Sequence, residues 1–242
     1  SVTVVLLCAP TLFEVLPTIR SRARHLQLRT PSTADVAAVL TQRDGISAGM
    51  AEFAAQVSQG HIGRARHLAM DESIRDRRQV IMKLPSTLTD ISSAFKAAAT
   101  LVDLAMQEAK TDSDARDEKE SAELGQAWGQ GATGRGMATG GSKALKELEK
   151  EQKSRATRMV RDRLDGALLD LATFYRDVMM AQAGITDAFI NQDLIEQILE
   201  FAESSKPEKN LQKIDAIMKA RTNLSFNSAP LLTIEALMCA LA

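Results

Sequence analysis

Between Lys143 and Ala183 the chain runs without a proline and with Gly166 as its lone glycine. In the second half of that run, apolar side chains recur at Val160, Leu164, Leu168, Leu171, Phe174 and Val178. Spacings of three and four residues put them on one stripe of a long helix, and the charged first part continues the same helix toward its start. A stripe of this kind must be covered by other helices. The rest of the chain supplies them. Ala, Leu, Glu, Lys, Arg and Met dominate its middle and end and aromatic residues make up 4%, a composition of strong helix formers that predicts a mainly α protein.

Three further helices are expected around Asp193–Ser204, Glu208–Thr222 and Pro230–Leu241, and three short ones within residues 33–75, with ends near Gly45 and Gly60. In the first of these, Pro31, Ser32 or Thr33 starts the helix and Asp35 favours its positive end. Residues 73–109 read as helix with a break at Pro85-Ser86. Ser86 is the expected cap there, and Ile91, Phe95, Ala98, Val102 and Ala105 the buried face. Residues 110–123 are densely charged. Gly125–Gly141 concentrates glycine around Trp128 and reads as a flexible linker or tip.

The opening has another character. Residues 2–8 are a β-branched and leucine run ended by Ala9-Pro10, the pattern of a strand buried on both faces of a parallel sheet. One strand is no sheet, so either its neighbours lie upstream or the segment packs irregularly. Leu12–Leu16 reads as a helical stretch broken by Pro17, and His25–Leu28 as a second short strand.

Several function classes are disfavoured. A formal net charge of -1 argues against nucleic-acid binding through bulk positive charge. Cys8 and Cys239 form neither a zinc spacing nor a disulfide framework, which fits a reducing cytoplasm. His25, His61 and His67 share no helical face and have no carboxylate at ligand spacing, so no metal site is expected. The opening apolar run is too short to span a membrane. No G-x-x-x-x-G-K-[ST] phosphate loop occurs in these residues, and the charged Lys143–Arg163 run reads as a solvated helix face.

The informative stretch is Leu16-Pro17-Thr18-Ile19-Arg20-Ser21-Arg22-Ala23-Arg24, which on composition alone is a basic loop between two strands. An arginine held at a domain edge can give planar, bidentate contact to phosphate oxygens, and one supplied in trans stabilises transition-state charge in phosphoryl transfer. Taken with Val5–Pro10, the segment resembles the sensor-1 strand and Ser-Arg-Cys motif of bacterial clamp-loader AAA+ subunits, with Ala23 where cysteine is usual. Gly60-His61-Ile62-Gly63-Arg64-Ala65 then stands where that family carries its sensor-2 motif, and Asn223-Leu224, Asn227 and Pro230 resemble the close of its collar domain. There Asn227 or Ser228 is the expected cap, Pro230 opens the last helix, and Leu231, Ile234, Leu237, Met238 and Leu241 form its apolar face.

The resemblance implies an α/β end over residues 1–30, a three-helix lid over 31–75, and a helical collar over 76–242 with a charged and glycine-rich insert at about 110–142. It implies Arg22, beside Ser21, as an arginine reaching a neighbour's ATP. The motif's own arginine is displaced from Gly63 to Arg64, which is about 100° of helix rotation, so Arg64 is expected to face elsewhere. With Ala9-Pro10 in place of the sensor-1 polar residue, the two absences resemble delta-prime-type subunits of DNA polymerase III. These hydrolyse no ATP, hold no cofactor, and leave ATP and Mg to neighbouring subunits. The implied partners are DnaX-type tau/gamma motor subunits, the delta subunit and, through the complex, the sliding clamp and primer-template DNA, with no membrane partner. The alternative is an ATP-hydrolysing DnaX-type subunit, against which Gly63 speaks.

Overall fold

The structure is a computed structural model that describes residues 3–9, 12, 15–128, 141–226 and 228–242. It is mainly helical, and no strand occurs among the described residues. Ten α-helices appear among them: α1 (Pro17–Arg20), α2 (Thr33–Asp44), α3 (Ala48–Ser58), α4 (Ile62–Met70), α5 (Glu72–Thr87), α6 (Ile91–Ala127), α7 (Gly141–Gln182), α8 (Ile195–Ser204), α9 (Pro207–Ser225) and α10 (Pro230–Leu241).

The opening departs from expectation. Residues 3–9 carry no regular structure, and Val4, Val5, Leu6 and Leu7 are exposed. A strand exists only when a neighbour satisfies its backbone groups, and no described residue pairs with this one. His25–Leu28 is likewise exposed and not a strand, with Leu26 and Leu28 facing solvent. Pro17 starts α1 instead of breaking a helix, because its fixed φ and missing N–H suit the first helical position. Of the Leu12–Leu16 stretch, residues 13 and 14 lie outside the described residues, and Leu12 and Leu16 are exposed.

From Ser32 onward local chemistry and structure agree. The Ser32 hydroxyl accepts from the Asp35 amide at 3.1 Å while the Asp35 carboxylate accepts from the Ser32 amide at 3.2 Å, a capping box. Helices α2–α4 close a small core of Val36, Leu40, Ala51, Ala54, Ala55, Val57, Ala65 and Leu68, with Ile74 of α5 packed against it. Alanines at the α3 contacts let the backbones approach closely. The chain enters this bundle at Thr30-Pro31, directly against Gly60. Gly60 has φ +88°, and a Cβ there would overlap the Thr30 Cγ2 and crowd the Pro31 carbonyl oxygen at 3.0 Å. Only glycine fits that turn. Gly63, by contrast, would bring a Cβ no closer than 3.4 Å, to the His61 ring.

Helix α5 runs on past the small core. Its second half contributes Ile81, Met82 and Leu84 to a separate large core with residues of α6, α7, α8, α9 and α10. Pro85 sits inside the last turn of α5, and the next cap is Asp90, not Ser86: its carboxylate accepts from the Ser93 amide at 2.7 Å. The buried face of α6 is Ala94, Ala97, Ala98, Leu101, Val102, Ala105 and Ala109, while Ile91 and Phe95 turn outward. Ala98, Val102 and Ala105 are thus buried as their spacing predicts, and the expectation fails at Ile91 and Phe95. The α7 stripe is buried as its spacing predicts. At Phe174 and Tyr175 it meets Phe201 of α8, all three rings edge-to-face at 5.5–5.8 Å between centroids. In α10, Ile234, Leu237, Met238 and Leu241 are buried, but Leu231 is exposed and Thr233 takes the inner place. Ser228 does not cap the helix; its hydroxyl meets that of Thr233 at 2.7 Å, and Asn227 lies outside the described residues.

Beyond the large core, α6 and α7 continue as a two-helix extension. Residues 110–127, expected as a charged stretch leading into a linker, are helical, and Trp128 directly follows. Most of the glycine-rich stretch, residues 129–140, lies outside the described residues. The charged start of α7 is not wholly solvated. Arg155 reaches Asp117 at 3.0 Å and Glu120, while Arg163 reaches Asp112 and, at 3.7 Å, Glu108.

The arginines Arg155 and Arg116 hold the Glu120 carboxyl down at about 2 from an ordinary 4.5. A depressed folded-state value means the stabilisation is complete above the ordinary value and is lost as pH falls toward the folded one. The stability difference between wild type and Glu120→Gln, measured by urea denaturation, is expected to shrink steadily between about pH 5 and about pH 3. In the small bundle, Gly60→Ala is expected to cost about 1–3 kcal/mol. Gly63→Ala should change stability by less than about 1 kcal/mol, the same denaturation curves reading both.

Candidate functional site

The expected site residues fall in two places. Ser21 and Arg22 sit at the end of α1, both exposed. The Ser21 hydroxyl donates to the Thr18 carbonyl at 3.2 Å, and the Arg22 amide donates to the Ile19 carbonyl at 3.0 Å, so a single short turn presents the arginine. Past it, the His25 ring meets the Arg20 carbonyl at 2.8 Å, and the chain then runs exposed to the Thr30-Pro31 contact at Gly60.

Gly63 and Arg64 lie on the first turn of α4, whose cap is His61: its Nδ1 accepts from the Arg64 amide at 3.0 Å. Arg64 is turned to a partner within the chain. Its Nη2 donates to Oδ1 of Asp170, on α7. Gly63 is not required by packing.

Asp170 opens a polar junction between α4, α5 and α7. Its side chain is 7% exposed, and Arg78 Nε lies 3.8 Å from the oxygen that Arg64 holds. Burial pushes the Asp170 carboxyl above its ordinary range, and the guanidiniums of Arg64, Arg78 and Arg77 oppose that push. Arg78 is 4% exposed. It donates to the Asn191 side-chain oxygen at 2.6 Å and to the Asp193 carboxylate at 2.8 Å, and lies 5.5 Å from the centre of the Phe53 ring of α3. Asp177, fully buried one turn pair further along α7, accepts from the amides of Ile190 at 2.9 Å and Asn191 at 2.8 Å, and from the Asn191 side chain at 2.8 Å. The residues between α7 and α8 are thus tied down by one carboxylate. Gln56 of α3 closes the junction by donating to the Phe189 carbonyl at 2.7 Å.

A signal for this cluster was present. Asp170, Thr173 and Asp177 interrupt the apolar second half of α7 at helical spacing, and an acidic residue on a buried stripe implies a partner. What the sequence withheld was which of its many arginines would answer.

The junction neutralises charge with charge and does not gather a metal: among the described residues no group of three or more His, Cys, Asp or Glu could hold one. Nor is any described helix long and apolar enough to cross a membrane. Residues 159–237, from the middle of α7 into α10, match the family model described as DNA polymerase III, delta subunit, C terminal. The match supports a clamp-loader-related family. No curated protein and no solved structure matches the chain. The matched span contains Asp170, Asp177, Asn191 and Asp193 of the junction, and stops short of Arg22, Gly63, Arg64 and Arg78.

Removing Arg78 takes from the buried Asp170 one of its flanking guanidiniums and leaves the buried Asn191 oxygen without its donor, and breaking a comparable buried pair costs about 3–5 kcal/mol. Arg78→Met is therefore expected to lower unfolding stability by that amount in chemical denaturation, whereas Arg116→Met, on an exposed residue, should cost less than about 1 kcal/mol.

Proposed function

We propose that this chain is a clamp-loader subunit of DNA polymerase III of the delta-prime type, which hydrolyses no ATP itself and supports sliding-clamp loading on primed DNA. The observation that carries the reading is the family match over residues 159–237. In this reading residues 76–242 are a collar through which subunits assemble, 31–75 a lid and 1–30 the end of an α/β domain. The two separate cores are compatible with such a layout.

Arg22 is the residue that acts. Exposed at the end of a short turn, its guanidinium enters the ATP site of a neighbouring motor subunit and binds phosphate oxygens bidentately, countering the charge that develops during transfer. The chain supplies no nucleotide site in return: Gly63 has no side chain to offer, and Arg64 is committed to Asp170. That commitment weighs against the DnaX-type alternative, which needs this arginine for its own nucleotide. The partners are tau/gamma-type motor subunits, the delta subunit and, through the assembly, the clamp and primer-template DNA, in the cytoplasm, with ATP and Mg held by the neighbours.

The family description names the delta subunit itself, and this favours a second reading in which the chain takes the delta position and Arg22 touches no nucleotide. Arg22→Ala in a reconstituted loader separates the two. Arginines supplied in trans contribute roughly a thousandfold or more in other phosphoryl-transfer systems. The delta-prime reading therefore expects DNA-stimulated ATP turnover to drop by at least about tenfold at the adjoining site. Turnover equal to wild type leaves the delta reading in its place.

A further inference from the structure

Arg64 belongs to the segment that in related motor subunits faces a nucleotide, yet here it meets an anion that the chain makes for itself. We infer that Asp170 and Arg64 are positioning residues: the buried carboxylate of α7 occupies the role of a phosphate, locking the small bundle at one angle to the large one and thereby setting where Arg22 stands. The inference rests on the reading of Arg22 given above, but its geometric half stands without it.

The geometry is as follows. The small and large cores share no buried residue, and α5 is the one helix that contributes to both. A single helix is a poor joint, since it leaves rotation about its own axis to whatever packs beside it. Beside it are polar contacts rather than apolar ones: Arg64 to Asp170, Arg78 to Asn191 and Asp193, and Gln56 to the Phe189 carbonyl. These are directional, and a guanidinium–carboxylate pair is among the most directional of all. Buried ion pairs add little net stability over an apolar contact but fix geometry when both partners are present. Arg64 sits four residues from Gly60, against which Thr30-Pro31 docks, and the segment carrying Arg22 leaves from there. A swing of α4 away from α7 therefore moves the Thr30-Pro31 anchor from which the exposed segment carrying Arg22 leaves. Asp170 is always present, so in this chain the angle does not depend on a bound nucleotide.

The test uses the full chain with Cys8→Ser and Cys239→Ser and spin labels introduced by Thr41→Cys in α2 and Ser204→Cys at the end of α8. Wild type is expected to give one narrow distance distribution, unaltered by added ATP and Mg. Asp170→Asn, and independently Arg64→Met in case the first variant folds poorly, should broaden it at least about twofold, and Asp170→Glu should keep most of its sharpness. Distributions as narrow as wild type in both Asp170→Asn and Arg64→Met overturn the lock. In the reconstituted loader, Asp170→Asn is expected to lower DNA-stimulated turnover by about tenfold, since displacements of about 1 Å at a reacting centre cost up to a hundredfold. It should add nothing to Arg22→Ala. If Arg22→Ala lowers turnover and a broadened Asp170→Asn does not, the positioning role is refuted. If Arg22→Ala is itself silent, the functional reading fails and the distance measurement still decides the lock.

Discussion

A guanidinium at 4% exposure cannot be left unanswered, and much of this structure follows from how Arg78 is answered. It draws Asn191 and Asp193 from the segment after α7, approaches Asp170 on α7, and lies over the Phe53 ring of α3. Each partner is in turn constrained: Asn191 by Asp177, Asp170 by Arg64. Two bundles with separate apolar cores, which share only α5, are thus also joined by a chain of charge and hydrogen bonds. Replacing it by hydrocarbon would be energetically tolerable, but would give up the directional contacts.

The helices were largely legible in the sequence because their signals are local. The capping box at Ser32 and Asp35, the glycine stops after α2 and α3, and the α7 stripe each depend on residues within a few positions of one another. Errors arose where the decisive partner was distant or several residues competed. Ile91 and Phe95 were expected inward on hydrophobicity alone, yet small alanines win the α6 seam because it is shared with α7 and α10, and close approach outweighs side-chain size. Asp90, not Ser86, caps the next helix, because α5 continues through Pro85 to Thr87 and Ser86 lies inside it. The run at residues 3–9 shows the limit of reading strands from composition: hydrophobicity specifies that a segment wants burial, but a strand needs hydrogen-bonding neighbours that no property of the segment supplies.

The site was half legible. One residue of helical displacement separates the directions of positions 63 and 64 by about 100°, which the sequence alone gives. That Arg64 faces Asp170 does not follow from the sequence, because the pairing joins positions 106 residues apart and several arginines were available to make it. Similarly, the charge along early α7 gives no hint of which arginines are solvated and which cross to α6. Arg155 and Arg163 cross because they fall on the α6-facing side, while Lys143 points out and meets Glu147 at 4.0 Å.

The separation of the two cores has a bearing on how the chain holds together in time. Breaking the α2–α4 packing exposes Val36, Leu40 and Leu68 but uncovers none of Leu164, Leu168 or Ile234, so the second half of α5 stays pinned while the first half frays. Such a molecule has an accessible, partly open form well below global denaturation in free energy. Backbone amides of the first seventy residues then exchange with solvent on a faster clock than those of α7, and a protease meets the amino-terminal portion while the carboxy-terminal bundle remains intact.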